Sequence, residues 1–355
     1  MLTFEQSREI LSKFGLSLVE SRAYGSGNIN ETYLVVAKEG LYTLQGINVS
    51  VFKDPYRLMD NITKVTTHIL SALRAEGRAD QYTLEFLPTE DGKYLLDRGK
   101  RAYRVCKFIE AHSIDRAEKP EHLYEAGKAF GAFGRMLSDF DASSLYEAIP
   151  DFHNTPVRYE NFERSVANGI PKRVAETQEE IAFVRERKNI CSVVVDGIRA
   201  GEIPLRVTHN DTKINNVLFD QNDRCVAVID LDTVMPGSLL YDFGDAMRSG
   251  GSSSGEEEAD VTKVHFLPEN FEAYVRGYLE AFPDITARER ELLPFSALLL
   301  TYECGMRFLS DYLDGDVYFR CAYPGHNLVR ARNQFALARD IERQMDVLTE
   351  IVKKY

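Results

Sequence analysis

Apolar positions change their period along this chain. Up to about residue 110, short β-branched and aromatic runs are broken by turn residues. Thr32 to Ala37, Tyr82 to Leu87, Lys93 to Asp97 and Tyr103 to Phe108 read as strands. Ser21 to Tyr24 leads into Gly25-Ser26-Gly27-Asn28, which predicts a hairpin with a glycine-rich tip ahead of the Thr32 strand. One stretch in this region has a different spacing. Leu58, Ile62, Val65, Ile69 and Leu73 form a single stripe behind a proline, which predicts a helix over Pro55 to Arg74. From Pro120 onward the pattern is helical, with helices expected over His122 to Phe140, Asn161 to Ala167 and Glu176 to Gly197. Leu292 to Tyr302 is the most apolar long stretch and reads as a buried helix. Ser249 to Gly255, followed by three glutamates, predicts a mobile surface loop close in sequence to the candidate chemistry below. No unit of about 20 to 50 residues repeats.

The chemistry concentrates between Val207 and Asp232, in VTHNDTKINNVLFDQNDRCVAVIDLD. Val217 to Phe219 and Val226 to Ile229 read as two short strands joined by a turn at Gln221-Asn222-Asp223, a hairpin that would set its polar ends side by side. Asp211 precedes the first strand, where a carboxylate can accept a hydroxyl proton and orient the attacking oxygen. Asn216 and Asp230 can bring two hard oxygens to one cation, as Mg²⁺ prefers. Lys213 can reach the oxygens of a transferring phosphoryl group.

His209-x-Asp211-x-x-x-x-Asn216, followed by Ile229-Asp230, resembles the catalytic loop and metal aspartate of the aminoglycoside phosphotransferase and choline kinase branch of the protein-kinase-like superfamily. Within that branch RVTHNDTKINNVLFD, AVIDLDTVMPGSLLYDFGDAMR, LLPFSALLLTYECGMRFLSDYLDGDVYF and YPGHNLVR are similar to N-acetylhexosamine 1-kinases, the likeness running from Glu20 to Phe335. The resemblance implies an α+β, protein-kinase-like bilobal fold, with an antiparallel-sheet N-lobe over residues 1–110 and a mainly helical C-lobe over 111–355. It implies ATP and Mg²⁺ as cofactors, and phosphorylation of the anomeric hydroxyl of N-acetylglucosamine or N-acetylgalactosamine. Asp211 and Lys213 would be catalytic, and Asn216 and Asp230 would hold the metal. Gly25, Ser26, Gly27 and Asn28 would cover the phosphates, with Asn28 touching phosphate or sugar. Phe108 and Glu110 belong to a segment resembling the hinge, where backbone groups can bond a purine. Arg307 and Tyr318 are the expected sugar contacts, from a helix and following turn that also carry Glu303, Asp311, Asp314 and Asp316. An exposed ion pair between Arg307 and Asp311, one helical turn apart, would explain that spacing without a ligand. Asp232 is open between support of the loop and a bond to substrate. Asp242, in the triplet that binds metal in protein kinases, is expected instead to cap a helix or brace the catalytic loop.

The chain departs from the pattern at Gln45, where related folds put lysine on the third strand. Asp60 or Asn61 stands near where that lysine's glutamate partner would be. Gln45 can bond a phosphate oxygen without charge, so compensation falls to the metal and to Lys213 or another cation. A nucleotide-binding pseudokinase is therefore one alternative. Kinases of another sugar or a small amino alcohol are a second. Asp230-Leu231-Asp232 also fits the D-x-D start of haloacid-dehalogenase-like phosphohydrolases.

Composition narrows the partners. The balance of 43 basic and 55 acidic residues gives a net charge of −12, which repels nucleic acid and anionic membranes. Cys106, Cys191, Cys225, Cys304 and Cys321 show no metal or disulfide spacing, as suits a reducing cytoplasm. The amino terminus lacks the apolar core of a signal peptide. A cytoplasmic monomer with ATP and a small sugar as partners is expected.

Overall fold

Alternation of side chains settles both faces of the first sheet. The computed structural model describes residues 2–25, 30–77 and 83–355. In it β1 (Leu18–Ala23), β2 (Glu31–Ala37), β3 (Gly40–Asn48), β4 (Leu96–Asp97) and β5 (Arg101–Lys107) pair antiparallel in the order β1-β2-β3-β5-β4. Tyr33, Val35, Leu44, Tyr103 and Val105 share a core with Ile10 and Leu11 of α1 (Phe4–Ser12). The alternate positions Ile47, Ala102 and Cys106 pack with the predicted stripe of α2 (Pro55–Ala75), which Asp54 caps by accepting from Arg57 N–H. The segment expected as a strand over Tyr82 to Leu87 is reduced, among its described residues, to an isolated bridge between Phe86 and Cys106. The strand expected from Lys93 begins only at Leu96, because Thr89 N–H bonds Lys93 O and closes a turn there.

The chain then enters the helical lobe through β6 (His112–Ser113) and α3 (Pro120–Met136). There follow α4 (Thr155–Asn168), α5 (Pro171–Glu176), α6 (Gln178–Glu186) and α7 (Val193–Arg199). The single helix expected from Glu176 to Gly197 is thus broken. Thr177 and Arg187 have φ of −120° and −105°, and the polar Arg185 to Lys188 run serves as a tether, with Arg187 bonding Glu342 through two nitrogens. Next come β7 (Arg206–Thr208), β8 (Val217–Phe219), β9 (Cys225–Val228) and β10 (Met235–Gly237). The lobe ends with α8 (Leu239–Gly250), α9 (Pro268–Ala281), α10 (Ala287–Glu291), α11 (Leu293–Asp314) and α12 (His326–Lys353). β7 pairs with β10, and β6, β8 and β9 form a second small antiparallel sheet. The helix expected at Leu292 to Tyr302 is part of α11, which packs against α4, α8 and α12.

The stretch expected to be a mobile loop is instead integrated. α8 continues to Gly250, and a Cβ on Gly251 would lie 2.4 Å from the Phe266 ring. Gly251 O accepts from Leu267 N–H and Gly255 O accepts from Asn333 Nδ2. Gly250 and Gly251 serve close approach rather than looseness, while Gly255 is held through its carbonyl. One apolar core crosses between the lobes, joining Leu58, Ile62 and Val65 of α2 to Phe133, Leu137, Val207, Leu231 and Val234. Among the described residues no helix is long and apolar enough to cross a membrane.

Candidate active site

The β8–β9 hairpin forms where the apolar runs lie, with Val217 opposite Val228 and Leu218 opposite Ala227. Ile229 N–H bonds Asn216 O at 2.9 Å, so the chain leaves β9 beside the residue that enters β8. This brings Asp211, Lys213, Asn216 and Asp230 to one end of the hairpin. Asn216 Nδ2 donates to the Asp211 backbone oxygen at 2.8 Å and to its Oδ2 at 3.1 Å. Lys213 Nζ lies 2.8 Å from Asp211 Oδ1. Burial opposes the Lys213 charge, yet Asp211 and Asp245 outweigh it and hold the ammonium above its ordinary range.

The loop that carries Asp211 is held from behind. His209 and Asn210 N–H donate to the two oxygens of Asp242 at 2.8 and 2.7 Å, and Thr212 Oγ1 donates to Asp242 O at 2.5 Å. Asn210 takes φ +65°, a conformation asparagine tolerates better than most residues. Of the two roles expected for Asp242, the structure shows the brace; Ser238 caps α8. Burial raises the Asp242 carboxyl even though His209 and these N–H groups favour its charge.

Asp230 lies two residues beyond β9, with φ +63°, and keeps access to solvent. Protein crowding, with Asp232 and Asp211 nearby, pushes its carboxyl up to about 6 against the pull of Arg104 and His209. Asn216 turns its Nδ2 toward Asp211, which leaves Oδ1 without a partner among the described residues, and the Asp230 carboxylate has no hydrogen-bond donor there. No group of three or more His, Cys, Asp or Glu residues among the described ones could hold a metal by itself. One amide oxygen and one unpartnered carboxylate fit a cation that takes its remaining ligands from phosphates and water, as Mg²⁺ does.

Around this centre the other expected residues fall unevenly. Asp232 is buried, and its two oxygens face Arg104 at 2.5 Å and Asn30 Nδ2 at 2.5 Å. Gln45 accepts from Arg104 Nε at 2.9 Å and donates to Thr32 Oγ1 at 3.3 Å, so both ends of its amide are engaged within the sheet. Phe108 meets Tyr24 edge-on at 5.5 Å, and its N–H bonds Leu41 O. The backbone N–H and C=O of Glu110 have no partner among the described residues and can bond a ligand. Gly25 has φ +78°, while Ser26, Gly27 and Asn28 lie outside the described residues.

Arg307 and Tyr318 meet at a second locus. The Arg307 guanidinium lies over Phe152 and Phe319, 5.3 and 5.6 Å from the ring centroids. The alternative, an ion pair with Asp311, does not form, because that carboxylate accepts from the N–H groups of Val317, Tyr318 and Phe319 and from Asn327. Asp314 accepts from Ser165 Oγ, and Asp316 pairs with Arg173. Tyr318 is 70% exposed, its ring edge-on to Phe319. Arg158, which carried no signal in the sequence, joins this locus. Burial and the nearby Arg307 lower its pKa, while Glu303, Tyr318 and Asp151 oppose them. Glu303 is buried against His153 and Thr155 at 2.8 and 2.5 Å, and these groups with Arg307 overcome burial to hold it below the ordinary carboxylate range. Arg104 was also missed, and only its cross-strand register with Gln45 reveals it.

Residues 20–282 match the model of the phosphotransferase enzyme family. The chain is similar to an aminoglycoside phosphotransferase from Alicyclobacillus acidocaldarius, with a TM-score of 0.65 and 14% identity over 100% of this chain and 98% of that one. It is similar to a choline/ethanolamine kinase family protein from Mesorhizobium loti, with a TM-score of 0.56 and 14% identity over 95% and 93% of the two chains. A spectinomycin phosphotransferase solved with ADP and spectinomycin gives a TM-score of 0.53 and 13% identity over 99% and 98%.

Proposed function

The chain belongs to the phosphotransferase enzyme family, and from that premise we propose that it transfers the γ-phosphoryl group of ATP to the anomeric hydroxyl of N-acetylglucosamine or N-acetylgalactosamine. The observation that carries the reading is the Asp211 carboxylate, oriented by Asn216 and Lys213 beside the unpartnered Asp230. Asp211 would orient the acceptor hydroxyl and take its proton. The hydroxyl oxygen bonds to the γ-phosphorus as the bond to the β–γ bridging oxygen breaks, giving the sugar 1-phosphate and ADP. Lys213, already held between carboxylates, would offset charge on the moving phosphoryl group. Mg²⁺, when bound by Asn216 and Asp230, would neutralise phosphate charge. The Gly25 to Asn28 tip would cover the phosphates and the Glu110 backbone would bond the purine, with residues 1–110 serving as the nucleotide lobe and 111–355 as the catalytic one.

The acceptor is proposed from the likeness of the carboxy-terminal strings to N-acetylhexosamine 1-kinases, and charge supports it. Arg307 has no ion-pair partner among the described residues, and Arg158 bonds only Phe152 O. Two guanidiniums at the acceptor end repel choline and polycationic aminoglycosides, whereas a neutral sugar offers hydroxyls to them and an apolar face to Tyr318. An ADP-release assay over free hexoses, N-acetylhexosamines, choline, ethanolamine and aminoglycosides tests this. ADP formation is expected with the N-acetylhexosamines above all. Turnover confined to the cationic acceptors would overturn the sugar reading, and phosphate release from sugar phosphates without nucleotide would overturn phosphotransfer itself.

A further inference from the structure

Side chains from the sheet lobe converge on the short turn that follows Asp230. Arg104 stands opposite Gln45 in the β3–β5 ladder and is 2% exposed. Its Nε donates to Gln45 Oε1 at 2.9 Å, and its Nη1 lies 2.5 Å from Asp232 Oδ1. The second Asp232 oxygen accepts from Asn30 Nδ2 at 2.5 Å, and Asn30 Oδ1 accepts from Asn48 N–H at 3.1 Å. At the far end of the turn Asn61 of α2 donates to Val234 O at 3.0 Å. Asn61, near the position of the partner glutamate in related folds, is thus committed elsewhere.

Asp230 needs such a hold. A non-glycine residue at φ +63° persists where its surroundings over-determine it. The following turn, Leu231–Thr233, closes with a single backbone bond, Val234 N–H to Leu231 O at 3.2 Å. Most of the restraint therefore comes from other elements. Its ionic part is obligatory, because a carboxylate as buried as Asp232 is strongly unfavourable without its partner.

We infer that the Arg104–Asp232 ion pair, with Asn30, forms an interlobe clamp that fixes Asp230 toward the cation site. Arg104 is then a positioning residue that stands in for the lysine this chain lacks on β3. The inference rests on the kinase reading, and it makes the setting of the two lobes and the geometry of the metal site one equilibrium.

The test titrates Mn²⁺ into the full chain saturated with a non-hydrolysable ATP analogue, following the free ion by its paramagnetic resonance, and measures the same nucleotide alone in EDTA. Arg104→Gln is expected to weaken Mn²⁺ binding roughly tenfold or more while metal-free nucleotide affinity moves less than about twofold, as for other groups that orient metal ligands. Arg104→Lys, which keeps the charge, should recover most of that loss. The double variant Arg104→Gln, Asp232→Asn leaves no unpaired buried charge, so it serves if the single variant does not fold, and it should show the same selective loss. Unchanged Mn²⁺ affinity in a folded variant overturns the clamp while leaving the kinase reading intact. Equal losses of metal and metal-free nucleotide binding also overturn it, because a purely structural role would weaken both. Wild-type protein that binds neither ligand would overturn the kinase reading and the clamp together.

Discussion

Two carboxylates at the hairpin end differ in what they touch, and this separates their roles. Asp211 holds protein donors on both oxygens, while Asp230 holds none. Asp211→Asn removes the proton acceptor but no proposed metal ligand. Its kcat is expected to fall by about 10² to 10⁴ with Mg²⁺-nucleotide binding retained by calorimetry, and full turnover would refute the base. Asp230 gives a pH signature. Its folded pKa of about 6 lies above the ordinary carboxylate value, so ionising it costs the metal-free fold stability as pH rises through that range. A cation needs the ionised form. Mg²⁺ affinity in the nucleotide complex should therefore be full above pH 7 and fall by up to about tenfold per unit below 6. In Asp230→Asn that slope should vanish along with most of the affinity. Both residues were legible because a hairpin brings together groups from one short segment, here nineteen positions apart. Arg104 and Asn30 were not, since Asn30 meets a carboxylate 202 positions away and Arg104 reaches Gln45 only through strand register.

At the scale of elements, what the sequence hid is mostly closeness. α3 and α9 touch backbone to backbone: a Cβ on Gly277 would come 2.1 Å from Tyr124 O, and one on Gly127 would come 2.4 Å from Tyr274 O. Backbone oxygens inside packed helices cannot give way as a side-chain tip can. Gly277→Ala is expected to lower unfolding free energy by at least about 2 kcal/mol, the range of core overpacking, measured as a fall in urea midpoint. Gly255→Ala meets no atom within 4 Å and should change stability by less than about 0.5 kcal/mol. A Gly277 variant as stable as wild type would mean that the two helices can slide apart. The same contrast explains why Ser249 to Gly255 looked like a loose loop. Composition reports that glycines are present but not what lies against them, whereas the α2 stripe needed only its own spacing to be found. Likewise the polar run Arg185 to Lys188 continues a helical pattern on paper, and only its docking on Glu342 explains the break.

The molecule as a whole is bilobal in architecture, yet one of its apolar clusters belongs to both lobes. Ile62 and Val65 of α2 pack in the same cluster as Val207, Leu231 and Val234 of the helical lobe, and the buried Arg104–Asp232 pair spans the lobes beside it. Burial patterns in a sequence mark which face is covered but not by what, so the bilobal plan was read from resemblance. Among the described residues all sheets pair antiparallel, which leaves no parallel sheet there for a D-x-D phosphohydrolase. A shared cluster has a thermodynamic consequence, because opening the sheet lobe alone would expose apolar surface on both lobes and an unpaired buried charge. The two lobes should therefore melt in one transition, and a ligand held in the sheet lobe should stabilise both. At about one hundred times its Kd, a nucleotide with Mg²⁺ adds about 2.7 kcal/mol, which for a chain of 355 residues raises Tm by about 4 °C. Calorimetry should show a single peak moving by that amount. Two peaks, of which only one moves with nucleotide, would show that the lobes unfold independently and that the core between them is weaker than its burial implies.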